Sequence, residues 1–240
     1  MAHDRELLIV IATYNEAHSL PLLINRIIDE LPAVRILVID DNSPDGTGRW
    51  CDRFQSSHPF LSVIHRESKL GLGTASIQGL KFAIDRDFRF VATMDADLSH
   101  DPAAIPGMLD LMRQPETESL GVVIGSRYVE GGSISGWPCY RKLSSQLVNW
   151  YARSVLALPA RDNSSAFRIY RVEQLRKIDL DQVHSQGYAY LEEILLLLHR
   201  ARIRVAEFQI AFRNRKSGNS KVNWRELARS LGQIFKLSFY

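Results

Sequence analysis

The chain has 240 residues, 45% of them hydrophobic and 24% charged, with a formal net charge of +3. That length and composition suit one α/β domain with a sizeable core and exclude a disordered or fibrous protein. Cys51 and Cys139 stand far apart and fit no Cys-x-x-Cys or Cys/His zinc spacing, which is compatible with a reducing compartment.

The start of the chain is polar, and the apolar run that follows is too short for a secretory signal. No segment approaches the roughly 18 apolar residues of a membrane span, so a cytoplasmic protein is expected. Residues 200–240 hold ten Lys/Arg against two acids, a local balance of +8 that leaves −5 on the first 199. A basic tail on an acidic body points to an anionic partner: nucleic acid, a phosphorylated substrate or an anionic membrane surface. Judged on charge alone, a solvated face is the commoner cause.

In chain order, an apolar run at 7–12 predicts a first strand. Leu20, Leu23, Ile24, Ile27, Ile28 and Leu31, at helical spacing, predict a helix over 19–31. Strands at 35–40, 61–65, 90–94 and 120–125 then alternate with helices at 47–57, 74–87 and 102–113. Several strands are continuously apolar, as strands buried on both faces are. The alternation implies an α/β fold with a mostly parallel sheet flanked by helices. Beyond residue 125 the pattern predicts a Gly-rich loop at 130–136, an amphipathic helix over 141–158 and a short strand at 166–170. A helix near 191–199, a strand pair within 204–212, a basic loop at 213–221 and a final helix over 222–240 complete it. No linker interrupts the chain, so a single domain is expected.

Ligands of such sheets sit beyond the carboxyl ends of the strands. Three strands run into polar motifs there: Thr13-Tyr14-Asn15-Glu16, Asp40-Asp41-Asn42-Ser43 and Asp95-Ala96-Asp97. Residues two apart at a strand end project to one side, so Asp95 and Asp97 can share a site. Two hard oxygen ligands suit Mg2+ or Mn2+, which recruit substrate phosphates as further ligands; an acidic turn ending a strand explains the pair alone equally well. Pro44 to Thr47 read as a turn and helix cap, whereas Asp40 and Asp41 suit a nucleobase or a ribose hydroxyl. Gly71-Leu72-Gly73 lacks P-loop and dinucleotide-fold spacing and reads as a loop-to-helix turn. Arg127 closes a strand, and Arg141 and Ser145 lie four apart on one helix face, a set suited to a phosphate monoester. Solvation of Arg141 and pairing of Arg127 with an acid are the blander alternatives.

The motifs Ala-Thr-Tyr-Asn-Glu from Ala12, Asp-Asp-Asn-Ser-Pro-Asp-Gly-Thr from Asp40, Gly-Leu-Gly-Thr-Ala from Gly71, Met-Asp-Ala-Asp-Leu-Ser-His from Met94 and Gly-Ser-Arg-Tyr from Gly125 occur in this order. With Arg141, Ser145, Gly187-Tyr188 and the run from Arg215 to Lys221, the series resembles the dolichyl- or polyprenyl-phosphate mannosyltransferases of glycosyltransferase family 2. The resemblance implies a GT-A fold and inverting transfer of mannose from GDP-mannose to dolichyl or polyprenyl phosphate, with Mg2+ or Mn2+. It also implies a peripheral position on the cytoplasmic face of a membrane, room for a membrane partner subunit, and no nucleic acid. The chain divides accordingly into a nucleotide-sugar half (1–128), an acceptor half (129–221) and a basic amphipathic helix (222–240).

Carried over by position, Ala12, Tyr14, Glu16, Ile39 and Asp41 contact the nucleoside, and Asp95, Ala96, Asp97 and Ser99 hold metal and diphosphate. Arg215 and Lys221 close over the donor phosphates, while Arg127, Arg141 and Ser145 bind the acceptor phosphate. Catalysis is expected of Asp95, Asp97 and Arg127. There are two departures: Ala12 replaces the usual proline, and Ser164-Ser165-Ala166-Phe167-Arg168 stands where Ser-Gly-Phe-Arg is usual, the added Cβ restricting that backbone. Transfer of another sugar from UDP to the same lipid is the runner-up, and a non-catalytic nucleotide or nucleic-acid binder the distant one. In the final helix, Trp224, Leu227, Ala228, Leu231, Ile234 and Phe235 form a stripe that suits either the core or a membrane interface. The helix from Arg141, with Leu143, Leu147, Trp150 and Tyr151, is the second candidate for the interface.

Overall fold

The computed structural model describes residues 5–185, 187–214 and 224–239, the stretch 224–229 by its backbone alone. The first half follows the expected alternation: β1 (Leu7–Thr13), α1 (Leu20–Glu30), β2 (Arg35–Asp40), α2 (Thr47–Ser57), β3 (Leu61–His65), α3 (Leu72–Asp85), β4 (Phe90–Asp95), α4 (Ile105–Arg113) and β5 (Leu120–Ser126). A single 3-10 turn, Pro102–Ala104, precedes α4, with the Asp101 side chain accepting from the Ala103 N–H. The second half contributes β6 (Ser133–Ser135), α5 (Cys139–Leu156), β7 (Arg168–Arg171), α6 (Val172–Leu175), α7 (Tyr190–Arg200), β8 (Arg204–Gln209), β9 (Ala211–Arg213) and α8 (Trp224–Leu237).

Seven strands form one sheet in the order β3-β2-β1-β4-β7-β5-β8. All run parallel except β7, which lies antiparallel between β4 and β5. The strand pair expected within 204–212 is not a hairpin. β8 joins the main sheet beside β5, and β9 pairs with β6 in a separate two-stranded ribbon.

Side chains alternate across the sheet, as the pleat requires. Leu8 and Val10 of β1 enter a core shared with α3, α5, α7 and α8, whereas Leu7, Ile9 and Ile11 enter one shared with α1 and α4. Apolar burial on both faces explains why the first strands read as unbroken hydrophobic runs. α3 lies so close to β1 that a Cβ added at Gly79 would stand 2.2 Å from Val10 Cγ1.

From β1 the chain steps outward to β2 and β3, then returns to set β4 on the other side of β1. This reversal opens a crevice at the carboxyl ends of β1 and β4, the usual ligand position in open α/β sheets. Ala12 is in register with both Ile39 and Asp95, and Thr13 with Asp40, so the three polar motifs meet at one edge.

Candidate active site

β1 ends where Asn15 adopts a left-handed φ of 61°. The next N–H groups are taken by the β2 loop: Asn15 donates to Ser43 Oγ, Glu16 to Thr47 Oγ1 and Ala17 to Asp45 Oδ2, each at 3.0 Å. Burial pushes the Asp45 carboxyl upward, but hydrogen bonds from Thr47 and Ala17 prevail and hold it below the usual carboxylate range. Asp40 is buried and accepts from Thr13 Oγ1 (3.2 Å), the Ser43 N–H (3.1 Å) and Ser43 Oγ (2.5 Å). It therefore serves the turn.

Asp41 is also buried. It pairs with Arg66 at 2.8 Å and accepts from the N–H groups of Leu70 (3.0 Å) and Gly71 (2.7 Å). Three of roughly four lone-pair sites are so occupied, and a ligand meets only what remains. The Gly71-Leu72-Gly73 turn is thus tied to Asp41: Gly71 has φ 97°, and a Cβ at Gly73 would press on Tyr190 at 3.2 Å. Tyr14 lies under Lys69, whose Nζ is 3.7 Å from the ring centre, and Glu16 accepts from the Ser19 hydroxyl. The Ile39 side chain is wholly buried in the core, so that residue reaches the rim through its backbone only. Ala12 keeps full strand pairing without the proline.

At the end of β4, Asp95 and Asp97 are partly exposed while Ala96 and Ser99 are buried. Leu98 is left-handed (φ 65°), and Asp97 Oδ1 accepts the Ser99 N–H at 3.0 Å. His100, given no role on sequence grounds, supports the turn: its Nδ1 accepts the Asp95 N–H at 3.1 Å and its ring stacks on Phe167 at 5.1 Å. Burial pushes its pKa down to about 4, over the opposing pull of Asp97, so the ring is neutral near pH 7. Ser99 Oγ is buried with no hydrogen-bond partner. Among the described residues no group of three His, Cys, Asp or Glu could hold an ion by itself. Two carboxylates beside an unsatisfied hydroxyl fit the kind of site in which substrate phosphates complete the shell of Mg2+ or Mn2+.

Across the crevice, Arg127 closes β5. Its Nε and Nη2 grip both oxygens of Asp162 (2.7 and 2.6 Å), Nη2 also donates to Ser164 Oγ (2.8 Å), and its N–H donates to Asp162 at 2.9 Å. Burial disfavours the charge, but the field and hydrogen bonds of Asp162 outweigh it and hold the guanidinium above its ordinary pKa. Asp95 adds to this field, which links the paired acids to the arginine. Asp162 is itself held by Glu207, whose carboxylate accepts the N–H groups of Arg161 (2.8 Å) and Asp162 (3.0 Å). Arg141, in the first turn of α5, donates to Asn214 at 3.2 Å and lies 4.0 Å from the Trp137 ring centre. Arg127 lies 5.4 Å from the same ring, so one indole brings the two expected phosphate-binding arginines together. Ser145 follows one turn along α5, its carbonyl accepting from Asn149 at 2.9 Å. Arg215 and Lys221 lie outside the described residues.

The departure at 164–168 is accommodated without strain. Neither Ser165 nor Ala166 has a positive φ, Ser165 Oγ donates to the Gly125 carbonyl at 2.7 Å, and the Ala166 carbonyl accepts from Thr93 Oγ1 at 2.7 Å.

A doubly wound sheet with paired acids at its switch point defines an open α/β ligand-binding fold. The glycosyl transferase family 2 model matches residues 8–179, and the chain belongs to that family. Among its relatives, an undecaprenyl-phosphate mannosyltransferase of Micrococcus luteus is 40% identical over 216 residues, 90% of this chain and 87% of that protein. A polyprenol monophosphomannose synthase of Mycolicibacterium smegmatis is 36% identical over 228 residues, 95% of this chain and 84% of that protein. Among solved structures, the mannosyltransferase PcManGT of Pyrobaculum calidifontis, in complex with GDP-Man and Mn2+, superposes with a TM-score of 0.63 at 15% identity, over 98% of this chain and 64% of that one. Glucosyl-3-phosphoglycerate synthase of Mycobacterium tuberculosis gives 0.68 at 18%, over 99% of this chain and 81% of that one. At such identities the likeness is one of fold, and the fold is GT-A.

Proposed function

We propose that this chain transfers mannose, with inversion, from GDP-mannose to a polyprenyl phosphate at a membrane surface. The observation that carries the reading is that Asp95, one of the paired acids, lies within the field of Arg127, which shares the Trp137 ring with Arg141, on a chain 40% identical to an undecaprenyl-phosphate mannosyltransferase. In this reading Tyr14, Glu16 and the remaining edge of Asp41 border the nucleoside. Asp95 and Asp97, with Ser99, hold a divalent ion, which supplies charge to the diphosphate as it departs. Arg215 and Lys221 close over the donor phosphates. The second pKa of a phosphate monoester is about 6, so near pH 7 the acceptor is already largely a dianion and needs no general base. Arg127, Arg141 and Ser145 then have one task, to aim its oxygen at the sugar carbon.

The lipid end of the reading is supported by α5, which leaves Tyr140, Leu143, Leu147 and Trp150 exposed on the helix that carries Arg141 and Ser145. That helix has three cations, Arg141, Lys142 and Arg153, and no acid. α8 packs on α5 with Ile234 buried and Phe235 exposed, so the described end of its expected stripe is divided between core and surface, while the side chains of Trp224, Leu227 and Ala228 lie outside the described ones. No helix among the described residues is long and apolar enough to cross a membrane. An amphipathic, cationic, aromatic-rich surface suits the interface of an anionic bilayer, here the cytoplasmic face, with or without a membrane partner subunit.

The test is transfer of radiolabelled mannose from GDP-mannose to a short polyprenyl phosphate with Mn2+ or Mg2+. A lipid product of a single β configuration is expected. Product from UDP-glucose and none from GDP-mannose would replace this reading with the other donor.

A further inference from the structure

Three polar groups at the crevice are buried without a hydrogen-bond partner: Ser99 Oγ, the Tyr128 hydroxyl and Trp137 Nε1. Tyr128 and Trp137 belong to one aromatic cluster around Arg127. The Arg127 guanidinium stands 5.4 Å from the ring centres of Tyr128, Trp137 and Phe212 alike. Phe212 meets Trp137 edge-on at 5.3 Å and His100 at 5.5 Å, which joins the cluster to the turn bearing Ser99. Buried polar groups are nearly always satisfied, so a cluster of unsatisfied ones marks where a ligand completes the set.

The chemistry of the cluster selects the ligand. An indole N–H only donates, and so does a guanidinium. The group that satisfies the Trp137 N–H must accept hydrogen bonds, and beside two guanidiniums a negatively charged acceptor is favoured. Tyr128 lies close enough to Ser145 to feel its hydroxyl, yet no hydrogen bond of good geometry joins them. The Tyr128 hydroxyl is therefore also available to an incoming oxygen. The ring of Trp137 has a second duty: with the Arg141 guanidinium at 4.0 Å and that of Arg127, already held by Asp162, at 5.4 Å, it draws Arg141 toward Arg127 by cation–π attraction.

We propose that Trp137 is a positioning and binding residue of the acceptor site. Its ring sets Arg141 beside Arg127, and its N–H, with the Tyr128 hydroxyl, donates to the oxygens of a phosphate monoester. This rests on the transferase reading but is tested apart from it. Farnesyl phosphate is titrated calorimetrically into the full chain, and the KM values for acceptor and GDP-mannose are measured separately. Trp137→Phe keeps an aromatic ring but removes the indole N–H together with the five-membered ring that bears it; Tyr128→Phe removes only the hydroxyl. Each is expected to weaken farnesyl phosphate binding and raise the acceptor KM about tenfold, as loss of a hydrogen bond to a charged group does. The KM for GDP-mannose and the melting temperature stay at wild-type values. Trp137→Leu, which also removes the ring under Arg141, is expected to raise the acceptor KM further and to lower kcat. Wild-type farnesyl phosphate affinity in both Trp137→Phe and Tyr128→Phe overturns the proposal, as does a rise confined to the KM for GDP-mannose. If the wild type binds farnesyl phosphate, loses that binding in Trp137→Phe, yet transfers no mannose, the site stands and the transferase reading falls.

Discussion

Replacing Asp162 by asparagine keeps the shape of the side chain but removes the charge that answers Arg127. Both partners are almost inaccessible to water, with side-chain exposures of 0% and 6%, and the fork is closed at 2.6 and 2.7 Å. Breaking a buried pair from one side costs about 3–5 kcal/mol, because a desolvated charge is left unanswered. Asparagine retains one acceptor, and Ser164 still accepts from Nη2, so the lower end, about 3 kcal/mol, is expected. For a domain of this size each kcal/mol moves Tm by about 2–4 °C, which gives a fall of about 6–12 °C in a thermal melt. Arg127→Met alone should also destabilise, since Asp162 then keeps its charge among fewer donors. The double variant, with neither charge, should be more stable than the sum of the two losses allows, with a coupling above about 1.5 kcal/mol. A Tm for Asp162→Asn within about 2 °C of wild type, or strictly additive losses, would refute the reasoning.

Asp97→Ala should lower mannose transfer at least about a hundredfold with the circular dichroism melt unchanged; near-wild-type turnover in metal-containing buffer would contradict its role. Glu192, buried in the first turn of α7, has its pKa pushed up to about 7 by burial, against the opposing pull of Arg168. Because the folded pKa exceeds the unfolded value of 4.5, its stabilising contribution is full below pH 4.5 and is lost as pH rises through 7. Glu192→Gln should therefore gain on the wild type by up to about 3 kcal/mol between those limits, and parallel pH–stability curves for the two would exclude the effect. Gly79→Ala should cost about 1–3 kcal/mol in urea unfolding, since its Cβ enters the space of Val10; an unchanged midpoint would show that α3 shifts freely over β1.

Strands β1 and β2 were legible almost to the residue because burial on both faces leaves an unbroken apolar run. β7 was harder to place. Its sequence, Arg-Ile-Tyr-Arg, looks half polar, yet all four residues are buried. Arg168 meets the carbonyls of Ser165, Leu191 and Asn163, and Arg171 those of Leu120, Met112 and Thr117. Partners fixed by tertiary folding leave no local signal. The same holds at the site. Asp95 and Asp97 could be read from their spacing and strand end, but Asp162 stands 35 residues from Arg127 and is preceded by nothing that marks it as an anchor. Asp40 and Asp41 look alike in sequence, and only the loops around them separate a turn-former from a residue bound to Arg66. His100 and Trp137 carried a weak signal, polar atoms on aromatic rings beside functional motifs, which becomes informative once burial is known.

The antiparallel strand β7 has a consequence for how the protein is made. β5 has only β7 and β8 as neighbours, and both come later in the chain. As the polypeptide leaves the ribosome, β1 to β4 can zip together at once, while β5 must wait, an apolar ribbon without a pairing partner, until residue 171 emerges. The strand wedged between β4 and β5 also carries Arg168, pinned to the carbonyls of Asn163 and Ser165, so the segment that follows Asp162 is set as the strand docks. Nascent chains stalled before that point should be the species that chaperones hold.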